Sequence, residues 1–95
     1  MLPDAPDLNA TSSFFGLLAE FGSTQIPLAR CCESYFGCSE DHANEKAAAG
    51  RLPVPAFKLG SKKSGWFIHA RDLAAHVDRE RAAGVARWSL HQGGV

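Results

Sequence analysis

Residues 27–50 read PLARCCESYFGCSEDHANEKAAAG, and residues 51–69 continue RLPVPAFKLGSKKSGWFIH. Pro27 suits a first helical position, because its missing N–H is one the helix start leaves unpaired anyway. Leu28, Cys31, Cys32 and Tyr35 then recur at helical spacing. Gly37 stands where a left-handed residue closes a helix. Ser39 follows as an N-cap, with Glu40 and Asp41 in a first turn whose dipole favours anions. That next helix runs through Ala43 and Ala47 to Gly50, and Leu52-Pro53-Val54-Pro55 ends it. Two helices joined by a tight Gly-Cys turn, the second lined with small residues, predict a helix-turn-helix.

Working downstream, Ala56–Leu59 and Trp66–His69 are β-prone runs joined by the Gly-bounded polar loop GSKKSG, which reads as a hairpin. Ala70, Leu73, Ala74 and Val77 return to helical spacing and predict a helix to Arg81 or beyond, with Gly84 as its expected stop or weak point. Upstream, Phe14, Leu17, Leu18 and Phe21 mark a short amphipathic helix that Ser12 or Ser13 would cap and Gly22 would end. The fold class expected is therefore mostly α with a small β-hairpin, a winged helix-turn-helix. Residues 1–11 read as a flexible leader, 12–83 as the domain and 84–95 as a frayed tail.

The chain has 95 residues, so one small core is all it can fill. Fifteen alanines among the 45% apolar residues favour short, closely packed helices. No apolar run approaches the ~18–20 residues of a membrane span, and no basic segment precedes an apolar one at the N-terminus. A cytoplasmic protein with no membrane partner is expected. Three cysteines, two of them adjacent, suit reduced thiols in a reducing compartment.

Net charge is zero, but its distribution is uneven. Residues 1–45 hold one base against seven acids, net −6; residues 46–71 hold six bases and no acid, net +6. Lys46, Arg51, Lys58, Lys62, Lys63 and Arg71 form that block. Such an uncompensated stretch is what a phosphate backbone attracts. In a winged helix the hairpin tip, here Ser61-Lys62-Lys63-Ser64, lies along the backbone while the preceding helix enters the major groove. The expected contacts to double-stranded DNA are His42, Asn44, Glu45, Lys46 and Arg51 on and after the helix. Lys58, Ser61, Lys62 and Lys63 are expected on the wing. A solvated surface with chance clustering is the bland alternative.

Four blocks then carry a resemblance: Ile26-Pro27-Leu28, Glu33–Gly37, Ala47–Phe57, and Trp66–His69 followed by Asp72-Leu73-Ala74. Together, over residues 14–83, they resemble the pyocin activator protein family. The resemblance implies a small transcriptional activator of phage-tail bacteriocin or prophage genes, a winged-helix relative of the excisionase type. It also implies promoter binding with Glu40–Ala49 as reader and the loop after Leu59 as wing. The chain departs from the expected pattern on the reader's outward face. With Ala43 and Ala47 inward, that face carries Asp41, His42, Glu45 and Ala49 where bases are expected. Carboxylates repel phosphates, yet they accept a hydrogen bond from cytosine N4. A different target sequence, weaker affinity and loss of DNA binding all remain open.

Other chemistry is poorly supported. Cys31, Cys32, Cys38 and His42 lack the paired spacing of zinc sites, and adjacent helical cysteines point about 100° apart. No metal or cofactor is expected, and the two adjacent thiols read as small core residues. The histidines His42, His69, His76 and His91 stand beside no recognisable nucleophile or phosphate loop, so no enzyme is expected. Trp66 and Phe67 alternate, placing one in the core and one at the surface. Trp88 and Leu90 read either as a dimer contact or as a flap over the thin core. A palindromic operator would call for a homodimer. Two rivals accompany the regulator: an architectural protein that bends DNA for recombination, and an adaptor that turns its acidic helix face to RNA polymerase.

Overall fold

The computed structural model describes residues 8–60 and 63–93. In chain order it contains α1 (Leu8–Phe21), β1 (Gln25–Pro27), α2 (Leu28–Phe36), α3 (Glu40–Ala48), β2 (Phe57–Lys58), β3 (Trp66–His69) and α4 (Ala70–Gly93). The strands form one antiparallel sheet in the order β1-β3-β2. This is the expected winged helix-turn-helix arrangement, with one strand more than a hairpin.

That extra strand comes from Gln25–Pro27, where the sequence pattern predicts no strand. Ile26 pairs with Ile68 across the ladder, and both are completely buried. Pro27 sits one residue earlier than expected: it ends β1 and caps α2 with φ −58° and ψ 130°. An edge strand tolerates a residue with no N–H, and the fixed φ then leads directly into the helix.

The core is thin. Leu17 and Phe21 of α1, Leu28, Cys31 and Cys32 of α2, Ala43 and Ala47 of α3, Val54, Ile68, and Ala70, Leu73 and Ala74 of α4 make it up. Phe14, Leu18, Tyr35, Phe36, Leu52 and Trp66 pack around that centre. Cys31 and Cys32 are core residues as expected, their thiols directed at the Leu28 and Ala29 carbonyls at 3.7 and 3.8 Å. Trp66 is the inward member of its pair. Phe67 lies on the other face of the sheet, its ring stacked on that of Phe57 at 6.3 Å.

Both ends of the chain are more helical than expected. α1 starts at Leu8, so residues 8–11 belong to it, while residues 1–7 of the expected leader lie outside the described residues. Ser13 is therefore not an N-cap. Its hydroxyl donates to Asp78 Oδ1 at 2.6 Å and ties α1 to α4, where Arg71 also stands over the Phe14 ring at 5.8 Å. Nor does Gly84 stop α4, which continues to Gly93. One glycine costs a helix only about 1 kcal/mol relative to alanine, and Ala82, Ala83 and Ala86 around it are strong helix formers. Trp88 (62% exposed) and Leu90 (77%) consequently project on a helical arm and do not fold over the core.

The turn between α2 and α3 was legible in detail. Gly37 has φ +65° and its N–H donates to the Glu33 carbonyl at 3.1 Å, a left-handed helix stop. Ser39 Oγ accepts from the His42 N–H at 3.3 Å and starts α3. Gly37→Ala should therefore destabilise the fold by about 1–2 kcal/mol, since an L-residue is strained there. Gly84→Ala, in a helix interior with no neighbour near the new methyl, should stabilise it by about 0.5–1 kcal/mol. Urea denaturation of the two variants beside the parent checks both signs.

Candidate nucleic-acid interface

α3 is held by its alanines. Ala43 and Ala47 are buried against the rest of the domain, and their methyls let α3 sit close to α2. Helical residues advance by about 100° each, so the opposite face follows by geometry. Glu45 lies about 200° around from Ala43 and about 160° around from Ala47, directly opposite the buried seam. Asp41, Ala48 and Ala49 flank it, and all are exposed. His42 and Lys46 follow on one side, both exposed, and Asn44 on the other, half-buried.

The C-terminus of α3 brings a second base to Lys46. Gly50, with φ +68°, donates its N–H to the Ala47 carbonyl at 3.2 Å, and the Arg51 N–H donates to the Lys46 carbonyl at 2.8 Å. This paired closure is a Schellman motif, and it fixes where Arg51 leaves the helix. His42, Glu45, Lys46 and Arg51 line one shallow depression on the surface. Three potential donors thus share a hollow with one carboxylate. Glu40 and Asp41 stand exposed in the first turn nearby.

The wing residues are placed less closely. Lys58 lies opposite Trp66 in the β2–β3 register, its Nζ 4.9 Å from the centre of the indole ring. Such a contact steadies a long cation without removing it from solvent. Lys63 is exposed in the turn between the strands. Ser61 and Lys62 lie outside the described residues. The structure thus gathers His42, Glu45, Lys46 and Arg51 into one group and carries Lys58 and Lys63 on the hairpin. Asn44 sits at the core boundary, away from that group. Ala48, on the same face as Glu45, was missed; the 100° arithmetic applied to Ala43 would have found it.

The cysteines take no part in this surface. Burial, and then the neighbouring Cys32, pushes the Cys31 thiol up to about 11 from an ordinary value of 9.0. Cys32 is raised as well, by burial and then by Cys38. Both therefore stay protonated at neutral pH, which suits packing and opposes nucleophilic or metal-binding use.

A family model described as Pyocin activator protein PrtN matches residues 13–84. The chain belongs to the pyocin activator family. The match runs from Ser13 in α1 through the helix-turn-helix and wing to Gly84 in α4, and it leaves the projecting arm beyond Gly84 outside. Membership gives the chain a regulatory role in pyocin gene expression, as the resemblance over residues 14–83 had implied. No curated protein and no solved structure matches the chain. Among the described residues, no helix is long and apolar enough to cross a membrane.

The thiol environment has a measurable consequence. A proton held more tightly in the folded than in the unfolded state stabilises the fold while pH stays below the unfolded value. The melting temperature should hold up to about pH 9 and fall as pH climbs towards 11, the range set by Cys31. Thermal melts followed by circular dichroism across that range, with Cys31→Ala as comparison, check it. The variant should show a smaller alkaline loss.

Proposed function

We propose that this pyocin activator family member is a sequence-specific double-stranded DNA-binding regulator acting at promoters of bacteriocin or prophage genes in the cytoplasm. α3 enters the major groove, and the wing follows the phosphate backbone. The observation that carries this reading is the join at the end of α3. The Schellman closure sets Arg51 beside Lys46 on the edge of an otherwise unobstructed helix face. A recognition helix needs that division, with an open crest for bases and cations at the side for phosphates. Five of the six bases in the acid-free stretch 46–71 belong by sequence to the end of α3 and the hairpin, and Arg71 stands on α4 against Phe14. Activation follows from family membership rather than from geometry. A palindromic operator would be read by two copies about one helical turn apart.

Lys62→Ala combined with Lys63→Ala should weaken binding to all sequences about equally. It should also lower the slope of log K against log salt by roughly 1–2, as two phosphate contacts are lost. Unchanged affinity in a mobility-shift titration would remove the wing from the interface.

A second reading rests on Glu40, Asp41 and Glu45, three exposed acids on the helix that should face DNA. In that reading α3 docks on a basic protein surface, such as one on RNA polymerase. Asp41→Lys with Glu45→Lys separates the two. If α3 faces DNA, the double variant binds random-sequence DNA several-fold more tightly. If α3 faces a protein, co-purification with RNA polymerase is lost.

A further inference from the structure

We infer that Glu45 is the residue that sets the sequence specificity of this protein, and that it does so by selecting a cytosine. The inference rests on the DNA-binding reading above and concerns which base pair that same helix requires.

Glu45 occupies the crest of α3, opposite the buried Ala43–Ala47 seam. A side chain there meets the floor of the groove, whereas Lys46 and Arg51, to one side, meet its phosphate walls. The residues that follow on the crest, Ala48 and Ala49, carry only methyls and leave the Glu45 side chain room to reach. A carboxylate offers acceptors and no donor. The major groove presents two donors to it, cytosine N4 and adenine N6. Adenine N6 stands beside the N7 acceptor of the same base, which repels a carboxylate. Cytosine has no acceptor of its own on that edge. Guanine and thymine present acceptors at the corresponding positions, so both are rejected.

The surrounding depression fits the other half of a C·G pair. His42 shares it with Glu45 beside the two phosphate-facing cations, and guanine offers O6 and N7 to such a donor. The acidic crest is thereby a filter. On any sequence without cytosine at that step, the carboxylate is desolvated beside acceptors and phosphates with nothing to bond. It lowers affinity for DNA in general and restores it at one base pair.

The test is selection of bound fragments from random DNA at moderate salt by the full chain, by Glu45→Gln and by Glu45→Ala. Titrations on the recovered sites follow. Glu45 is exposed, so both variants should keep the parent's circular dichroism spectrum. The parent should recover sites with a fixed C·G pair, and changing that pair should weaken binding about 5- to 150-fold. Glu45→Gln should move the preference at that step to adenine, which a carboxamide bonds through N6 and N7 together. Glu45→Ala should flatten the preference there and bind random DNA more tightly than the parent. The inference is overturned if the parent recovers specific sites and both variants recover the same ones with the same preference. It is also overturned if Glu45→Ala raises affinity for every sequence equally. Failure of all three proteins to retain any DNA at low salt would instead overturn the DNA-binding reading itself.

Discussion

The face that α3 turns outward depends on two methyl groups. Ala43 and Ala47 are buried where α3 meets the core, and no larger side chain would let the helix lie so close. Their position determines the roll of α3 about its axis. With the roll set, Glu45 is placed on the crest, Lys46 on the flank and Asn44 at the boundary. A bulkier seam would tilt or lift the helix and redistribute all three. The face that α3 presents is in this sense a packing property before it is an electrostatic one.

Electrostatics then act within that frame. A protein with no net charge approaches nucleic acid only through a local excess of bases. Most of the excess here belongs to a helix end and a hairpin, two elements that the core holds by different means, while Arg71 stands apart on α4 against Phe14. Arg51 is positioned by its own N–H donating to the Lys46 carbonyl and by the Gly50 N–H donating to Ala47, bonds that need no side chain at all. Lys58 is steadied by the face of Trp66, whose ring also packs on the core. Opposed to these cations are the first-turn acids of α3, which favour the helix through its dipole while resisting phosphates. One set of carboxylates thus serves folding and, under the proposed function, opposes general attraction to DNA.

Legibility in the sequence followed how local each interaction is. Gly37 and Ser39 were readable because a cap or a left-handed turn is settled within about five residues. The wing strands were readable from two β-prone runs around a Gly-bounded loop. β1 was not, because three residues ending in proline carry no period, and Ile26 becomes a strand only when Ile68 arrives from far along the chain. The start of α1 was misjudged for a related reason. Ser13 looked like a cap, but its hydroxyl is engaged by Asp78, 65 residues away. Gly84 looked like a stop because its cost is easily counted and the helix-forming strength of its neighbours is not.

The sequence alone determined the order of elements, the two glycine-closed helices, the alanine seam and the uneven placement of charge. Each is written in residues that act on near neighbours or through composition. It also carried the four blocks by which the family could be recognised. The tertiary structure alone decided that a third strand completes the sheet, that α4 continues as an arm with Trp88 exposed, and that His42, Glu45, Lys46 and Arg51 share one hollow. Those outcomes turn on which distant segments meet. Contacts between distant segments are settled by burial of the whole core, not by the preference of any one stretch.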